Sequence, residues 1–141
     1  MKIVLDSNIL FSALISKGKT RKIILKKEIL PETDFYVPEH FFKELWNNLD
    51  EIKQKTELNI HDLRILILLI RQKINIIPKE EFQKQLKDAK RAIEDIDSND
   101  VPFLALALEI DADIWSDDKH FQKQDKVKAW RTTELIKKFN L

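Results

Sequence analysis

Short apolar runs alternate along the whole chain with longer segments of helical periodicity. β-Branched and aromatic residues dominate four of these runs, at residues 2–5, 35–37, 74–77 and 113–115, and a fifth run lies at 127–129. Apolar runs of this length are typical of strands that are buried on both faces of a parallel sheet. The pattern therefore predicts an α/β fold, a three-layer α/β/α sandwich with a central, mainly parallel sheet of four or five strands.

Apolar residues at helical spacing fill the segments between the strands. Ser7 or Asn8 is expected to cap the first of these helices, and a second helix carries a basic side over residues 17–27. Two further helices are predicted around residues 63–70 and over residues 79–94, the latter charged and amphipathic. Helical segments therefore connect each predicted strand to the next, as the right-handed crossovers of a parallel sheet require.

Acidic residues stand at both ends of the most apolar helix of the chain, which is predicted over Val101–Ile110. Asp97 and Asp100 precede this helix, and Asp117 and Asp118 follow the strand after it. The helix is more apolar than a single amphipathic face requires, which indicates a buried position. Carboxylates gathered at the ends of a buried element repel one another, and a hard divalent cation is the natural compensation.

More carboxylates are expected at the same place, because ligands of an open parallel sheet bind outside the carboxyl ends of its strands. Asp6 ends the first strand, and Glu44 lies in the second turn of the helix that follows the second strand. Together with Asp100, which has Asp97 just upstream, and at least one of Asp117 and Asp118, they would form a set of oxygen ligands suited to Mg²⁺ or Mn²⁺. Such a site predicts metal-assisted cleavage of phosphodiester bonds.

Composition narrows the class of protein. The 141 residues predict one domain, and 25 basic against 24 acidic residues give no overall charge that would indicate a partner. There is no cysteine, which excludes disulfides and is typical of a reducing cytoplasm. The single glycine excludes glycine-rich phosphate loops. No signal peptide is expected, and the longest apolar run, residues 65–70, is too short to cross a membrane.

Each candidate residue also has a purely structural interpretation. Asp6 could be a helix cap, Glu44 a partly solvated helix residue, and the two acidic pairs around the apolar helix could form turns. The basic side of the second helix could be a solvated face rather than a phosphate-binding surface. His40 lies four residues before Glu44, a spacing that could bind zinc, although a simple surface histidine is the more usual interpretation. His61 and His120 show no pattern, and the three tryptophans occupy apolar positions that indicate core, Trp46, Trp115 and Trp130.

Three segments give the chain a resemblance to the PIN-domain ribonucleases, including the small prokaryotic PIN proteins among which VapC-type toxins are found. They are IVLDSNIL from residue 3, FYVPEHFFKELW from residue 35 and DSNDVPFLALALEIDADIWSDDKHF from residue 97. Their order and spacing extend the resemblance over nearly the whole chain, residues 1–141, as one PIN-like domain. Small toxins of this group are often more compact in the interval that two helices fill here, between Glu44 and Asp100.

The resemblance implies a role for each acid. Asp6, Glu44 and Asp100 would be the first three metal ligands, and Asp118 is a better match than Asp117 for the last. By the same resemblance, Asn8 and Ser116 would be polar residues that support the ligands, and Asp97 an acid that is often found one turn before the third ligand.

The function that the resemblance implies is that of a cytoplasmic endoribonuclease dependent on Mg²⁺ or Mn²⁺. RNA would be its substrate, and an antitoxin protein and a second copy of the chain would be its partners. One alternative is a non-catalytic PIN-like module that binds RNA or protein. Another is a phosphatase or phospho-receiver, which requires a second aspartate two residues after Asp6, where this chain has Asn8.

Overall fold

A five-stranded parallel sheet forms the centre of the computed structural model, which describes residues 1–26, 30, 32–93 and 98–141. In these residues the strands follow the order β3-β2-β1-β4-β5, and every neighbouring pair is parallel. Their bounds are β1 (Lys2–Leu5), β2 (Asp34–Pro38), β3 (Ile74–Ile77), β4 (Asp113–Trp115) and β5 (Ala129–Trp130). The predicted sheet is thereby confirmed.

Helices cover both faces of the sheet, which confirms the predicted three-layer sandwich. One group, α1, α2, α4 and α5, packs together, whereas α7 packs with α6 and lies against β1, β2 and β4. The helix bounds are α1 (Ser7–Ile15), α2 (Lys19–Leu25), α3 (Glu39–Asn47), α4 (Leu49–Lys55), α5 (Ile60–Gln72), α6 (Leu86–Ala92), α7 (Val101–Ile110), α8 (Lys119–Lys123) and α9 (Thr132–Lys138). No helix within the described ranges has the length and apolar character that crossing a membrane would need.

The helix α7 has the predicted bounds and lies in the interior. Its central residues, 103–107, are fully buried, because apolar side chains on every side of the helix can be covered only by the sheet and by α6. Pro102 suits the first turn, where its missing N–H has no helical partner. At the other end the Lys2 Nζ donates a hydrogen bond to the Ile110 carbonyl (3.3 Å). Since Lys2 begins β1, α7 ends at the amino edge of the sheet and begins at the carboxyl edge.

The predicted helix over residues 79–94 is wrong for the most part. Two 3₁₀ turns, Lys79–Glu81 and Gln83–Gln85, precede the short helix α6, and residue 94 lies outside the described residues. Phe82 stands between the turns with φ −124° and is fully buried. A regular helix is interrupted there because the chain turns to bury this ring while its charged neighbours stay in solvent.

Other boundaries differ from the prediction for local reasons. The helix after β2 divides at Asn48, whose side-chain amide donates to the Glu44 carbonyl (2.9 Å) and so ends α3. The last strand begins at Ala129 instead of Val127, because the Gln124 side chain binds both the N–H (3.0 Å) and the carbonyl of Val127. The short helix α8 was not predicted, since five residues are too few to show a period.

Candidate metal centre

The site lies where the strand order reverses direction. The chain passes from β1 to β2 and β3 on one side, and then places β4 and β5 on the other side of β1. Such a reversal opens a crevice at the carboxyl ends of the two central strands. Asp6 directly follows β1, and its N–H donates to the carbonyl of Trp115, the last residue of β4 (3.2 Å). The loops after β1 and β4 therefore meet at this crevice.

Asp6 is a buried carboxylate held from two directions. Its side chain is 1% exposed. Oδ1 accepts the Ile9 N–H (2.9 Å), and Oδ2 accepts a short hydrogen bond from the Ser116 hydroxyl. Asp6 is thus the N-cap of α1, so the prediction that Ser7 or Asn8 caps this helix is wrong. Because the cap directs the carboxylate into the crevice, the capping role and a role in the site do not exclude each other.

Burial raises the pKa of the Asp6 carboxyl to about 6, from an ordinary value of 3.8. The hydrogen bonds from Ser116 and Ile9 oppose this shift, and the negative charges of Asp100 and Asp118 add to it. Three acids that are distant in sequence therefore interact electrostatically in the folded chain. An ionised Asp6 is costly in this place, and a bound cation would lower that cost.

Asp118 lies across the crevice from Asp6 and is positioned by the same serine. Its N–H donates to Ser116 Oγ (3.0 Å), so one hydroxyl orients both acids. Its Oδ1 accepts the His120 N–H (2.9 Å) and lies 3.2 Å from His120 Nδ1. Ligand atoms of Asp100, Asp118 and His120 all lie within 4.8 Å of one another.

Sequence reasoning assigned no role to His120. The available signal was its place two residues after an acid that follows a buried strand, because such a short loop keeps both side chains at the strand end. The spacings typical of zinc sites pair two histidines along a helix, and the sequence offers His120 no such partner.

Asp117 is turned away from the cluster and holds a helix end. Its two carboxylate oxygens accept hydrogen bonds from the Thr132 N–H (2.8 Å) and hydroxyl (2.6 Å). The Thr132 hydroxyl also accepts from Trp115 Nε1 (2.9 Å), so these contacts connect the loop after β4 to the start of α9. Of the two adjacent acids, the structure brings Asp118 and not Asp117 to the other carboxylates.

The remaining predicted residues lie at different distances from this cluster. Glu44 is exposed on α3 and is not among the described residues whose ligand atoms lie within 4.8 Å of one another. The rings of His40 and Phe41, on the same face of α3, contact Phe103 in the first turn of α7 (6.5 and 5.6 Å between centroids).

Three residues named from the sequence remain, the supporting residues Asn8 and Ser116 and the acid Asp97. Asn8 is exposed on α1, next to the buried Asp6, and no contact of its side chain reaches the cluster in the hydrogen bonds of the described residues. Asp97 lies outside the described residues. The Ser116 hydroxyl lies between Asp6 and Asp118, donating to the Asp6 carboxylate and accepting the Asp118 N–H.

Carboxylates at the switch point of an all-parallel sheet define an α/β protein with an acidic, metal-type site. Within that class, the family model of the PIN domain matches residues 4–140, and the chain belongs to the PIN-domain family. No protein of curated function matches the chain significantly.

Two solved structures have the same fold. VapBC2 from Rickettsia felis, bound to a DNA fragment from its promoter, superposes with a TM-score of 0.68 at 14% identity, over 93% of this chain and 98% of that one. VapBC-1 from nontypeable Haemophilus influenzae superposes with a TM-score of 0.67 at 19% identity, over 94% and 99%. At this level of identity the likeness concerns the fold.

Proposed function

We propose that this protein, as a single PIN domain over residues 1–141, is a metal-dependent endoribonuclease that hydrolyses RNA phosphodiester bonds. One observation carries the proposal, namely a buried Asp6 that faces two more acids at the switch point of the sheet. Such an arrangement opposes folding stability in the absence of a cation. It is therefore better explained by a site for chemistry than by packing.

The donor set fits Mg²⁺ or Mn²⁺. Asp6, Asp100 and Asp118 would hold the ion, Glu44 would join them from α3, and Ser116 would keep two of the carboxylates in place. When bound, a divalent ion supplies activation of water and neutralisation of the charge that develops on the phosphoryl oxygens. The acids orient the reacting groups, and no serine or cysteine nucleophile is required.

The direct test is cleavage of mixed RNAs with Mg²⁺, with Mn²⁺ and with excess chelator. We expect cleavage with metal only, and its loss in Asp6→Asn and Asp100→Asn. Asp50→Asn is a suitable control, because Asp50 is exposed on α4 and is not part of the acidic cluster. Cleavage that continues in chelator, or that is equal in wild type and Asp6→Asn, would refute the proposal.

The alternative is a PIN-like module that binds RNA or a protein without cleaving. This alternative predicts RNA or partner binding that Asp6→Asn leaves unchanged, with no cleavage in any metal. The raised pKa of Asp6 favours the enzyme, because a binding module gains nothing from an ionisable group in a desolvated position.

The toxin half of a toxin–antitoxin pair is the biological role that we propose. Its support is the PIN family together with the shared fold of two VapBC proteins. Such an enzyme would act on RNA in the cytoplasm, in agreement with a chain that has no cysteine. Expression should arrest growth, and coexpression of a small neighbouring gene product should restore it. If expression of an active nuclease leaves growth unaffected, the toxin role is contradicted but the proposed nuclease activity is not.

We also propose that two copies pair through α5. Three large apolar side chains on one face of this helix are well exposed, Ile65 at 43%, Leu68 at 47% and Leu69 at 43%. Packing this face against the same face of a second copy would remove the three side chains from water. Sedimentation should show a dimer for the wild type and a monomer for Leu68→Glu. A wild-type monomer at high concentration would exclude this pairing.

A further inference from the structure

His120 is the residue of the site for which neither the fold nor the acidic pattern provides a role. It lies on the first turn of α8, and its side chain is about half exposed. Its Nδ1 lies 3.2 Å from Asp118 Oδ1, and its ligand atom belongs to the group within 4.8 Å that Asp100 and Asp118 complete. The imidazole is therefore close enough to two partly buried carboxylates to bind the same ion as they would.

We infer that His120 is a direct ligand of the divalent ion, through an imidazole nitrogen, beside Asp100 and Asp118. The inference rests on the proposed metal-dependent function and extends its ligand set beyond oxygen. It follows from the place of His120 at the start of α8, where the Asp118 carboxylate accepts the His120 backbone N–H and lies 3.2 Å from the ring Nδ1.

The distances agree with octahedral coordination. Ligands at about 2.1 Å from an ion are about 3.0 Å apart when adjacent and about 4.2 Å apart when opposite. The separation of 3.2 Å between His120 Nδ1 and Asp118 Oδ1 corresponds to an adjacent pair. The ligand atoms of all three residues lie within 4.8 Å of one another, so small side-chain rotations could bring them around one ion.

The local structure holds the imidazole close to this position before any ion binds. The Asp118 carboxylate caps α8 by accepting the His120 N–H, and the next side chain, Phe121, is fully buried. The backbone of His120 is therefore fixed on both sides, and mainly the ring torsions remain free. A ligand that is pre-positioned in this way costs less conformational entropy on binding.

A nitrogen ligand changes which ion the site prefers. Mg²⁺ is a hard ion that favours oxygen, whereas first-row transition ions such as Mn²⁺ accept imidazole more readily. A site of three carboxylates alone would show little preference of this kind. Direct coordination by His120 therefore predicts that the protein binds Mn²⁺ more tightly than Mg²⁺, and that this preference depends on His120.

Pulsed electron paramagnetic resonance of the Mn²⁺-loaded full chain tests the inference without measuring activity. We expect ¹⁴N coupling to Mn²⁺ in the wild type and its loss in His120→Gln. The chain has three histidines, so His40→Gln and His61→Gln are matched controls that should keep the coupling. His40 is the more demanding control, because its ring contacts Phe103 near the start of α7.

Binding isotherms give the second measurement. His120→Gln should raise the Kd for Mn²⁺ by about tenfold, at the lower end of what changes around metal sites cost, and should leave the Kd for Mg²⁺ within about twofold. His120 is half exposed, so the variant is expected to fold, and circular dichroism checks this.

Two results would overturn the inference. One is a wild-type protein that binds Mn²⁺ and cleaves RNA but shows no nitrogen coupling. The other is a His120→Gln variant whose affinities for Mn²⁺ and Mg²⁺ fall equally, as expected if His120 only positions Asp118. Failure of the proposed function differs from both, because Mn²⁺ would then not bind at all or cleavage would persist in chelator.

Discussion

The loops after β1 and β4 meet at one edge of the sheet, yet they hold their carboxylates in opposite ways. The β1 loop buries Asp6 beneath the start of α1, where its pKa is raised to about 6. The β4 loop leaves Asp118 partly open to solvent, with the backbone N–H and the ring of His120 beside its carboxylate. Ser116 connects the two loops through its single hydroxyl.

The difference shows that two carboxylates of one site can differ in the free-energy cost of staying ionised. Water can solvate Asp118 when no cation is bound, whereas Asp6 depends on a few hydrogen bonds and on whatever positive charge enters the crevice. Asp6 therefore couples metal binding to the stability of the chain, and Asp118 mainly supplies a ligand. Substitutions at Asp6, in the loop after β4 and at the serine that joins them should therefore differ in their effects on activity, stability and metal affinity, described here from the largest effect to the smallest.

Asp118→Asn should lower metal-dependent RNA cleavage by about a thousandfold or more, since a bound ion contributes several kcal/mol to transition-state stabilisation. Asp117→Asn should retain most of the activity, because Asp117 binds Thr132 and not the cluster. Initial rates at saturating Mn²⁺ measure both. An equal loss in the two variants would show that the adjacent acids act together at the site.

Asp6→Asn should stabilise the metal-free protein at pH 7 by roughly 3 kcal/mol, the free-energy equivalent of the pKa shift of Asp6. The folded chain holds its proton more tightly than the unfolded chain, so stability is lost as pH rises from about 4 to about 6. Urea unfolding in chelator at pH 4 and pH 7 measures the effect, and the gain of the variant should disappear at pH 4. An asparagine variant that is less stable at pH 7 would contradict the assigned cost of the buried charge.

Ser116→Ala should cost about 1–3 kcal/mol, because it leaves the buried Asp6 without one donor and the Asp118 N–H without its acceptor. Mn²⁺ affinity should fall about 10- to 100-fold, as is usual for residues that orient metal ligands. Ser12→Ala, an exposed serine on the same helix that Asp6 caps, is the control. Unchanged affinity in Ser116→Ala would mean that the two loops are held together without this hydroxyl.

Asp117→Ala should destabilise the chain by about 1 kcal/mol, since the start of α9 loses the acceptor of the Thr132 N–H. Thermal unfolding measures this change, and Mn²⁺ affinity should stay within about twofold because the ligands are elsewhere. A drop in affinity larger than the drop in stability would place Asp117 among the ligands.

The fold was largely predictable because its signals are local. β1, β3, β4 and α7 have the predicted bounds, since each is a mostly apolar run that a polar residue or a proline follows. The segment around Phe82 was not predictable in the same way, because one buried ring overrides the helical pattern of its charged neighbours. The last strand moved for a similar reason, when the Gln124 side chain took the backbone groups of Val127.

The site was predictable only as a group of acids. The sequence alone determined that Asp6, Asp100 and the pair Asp117 and Asp118 come to one edge, because strand ends and helix starts decide where each acid lies along its element. Only the tertiary structure decided that Asp118 faces the cluster while Asp117 holds α9, since adjacent residues in a loop point in directions that their partners select. The tertiary structure also decided that Asp6 is desolvated and that the His120 ring lies beside the Asp118 carboxylate. Burial and contacts between loops depend on elements that are distant in sequence.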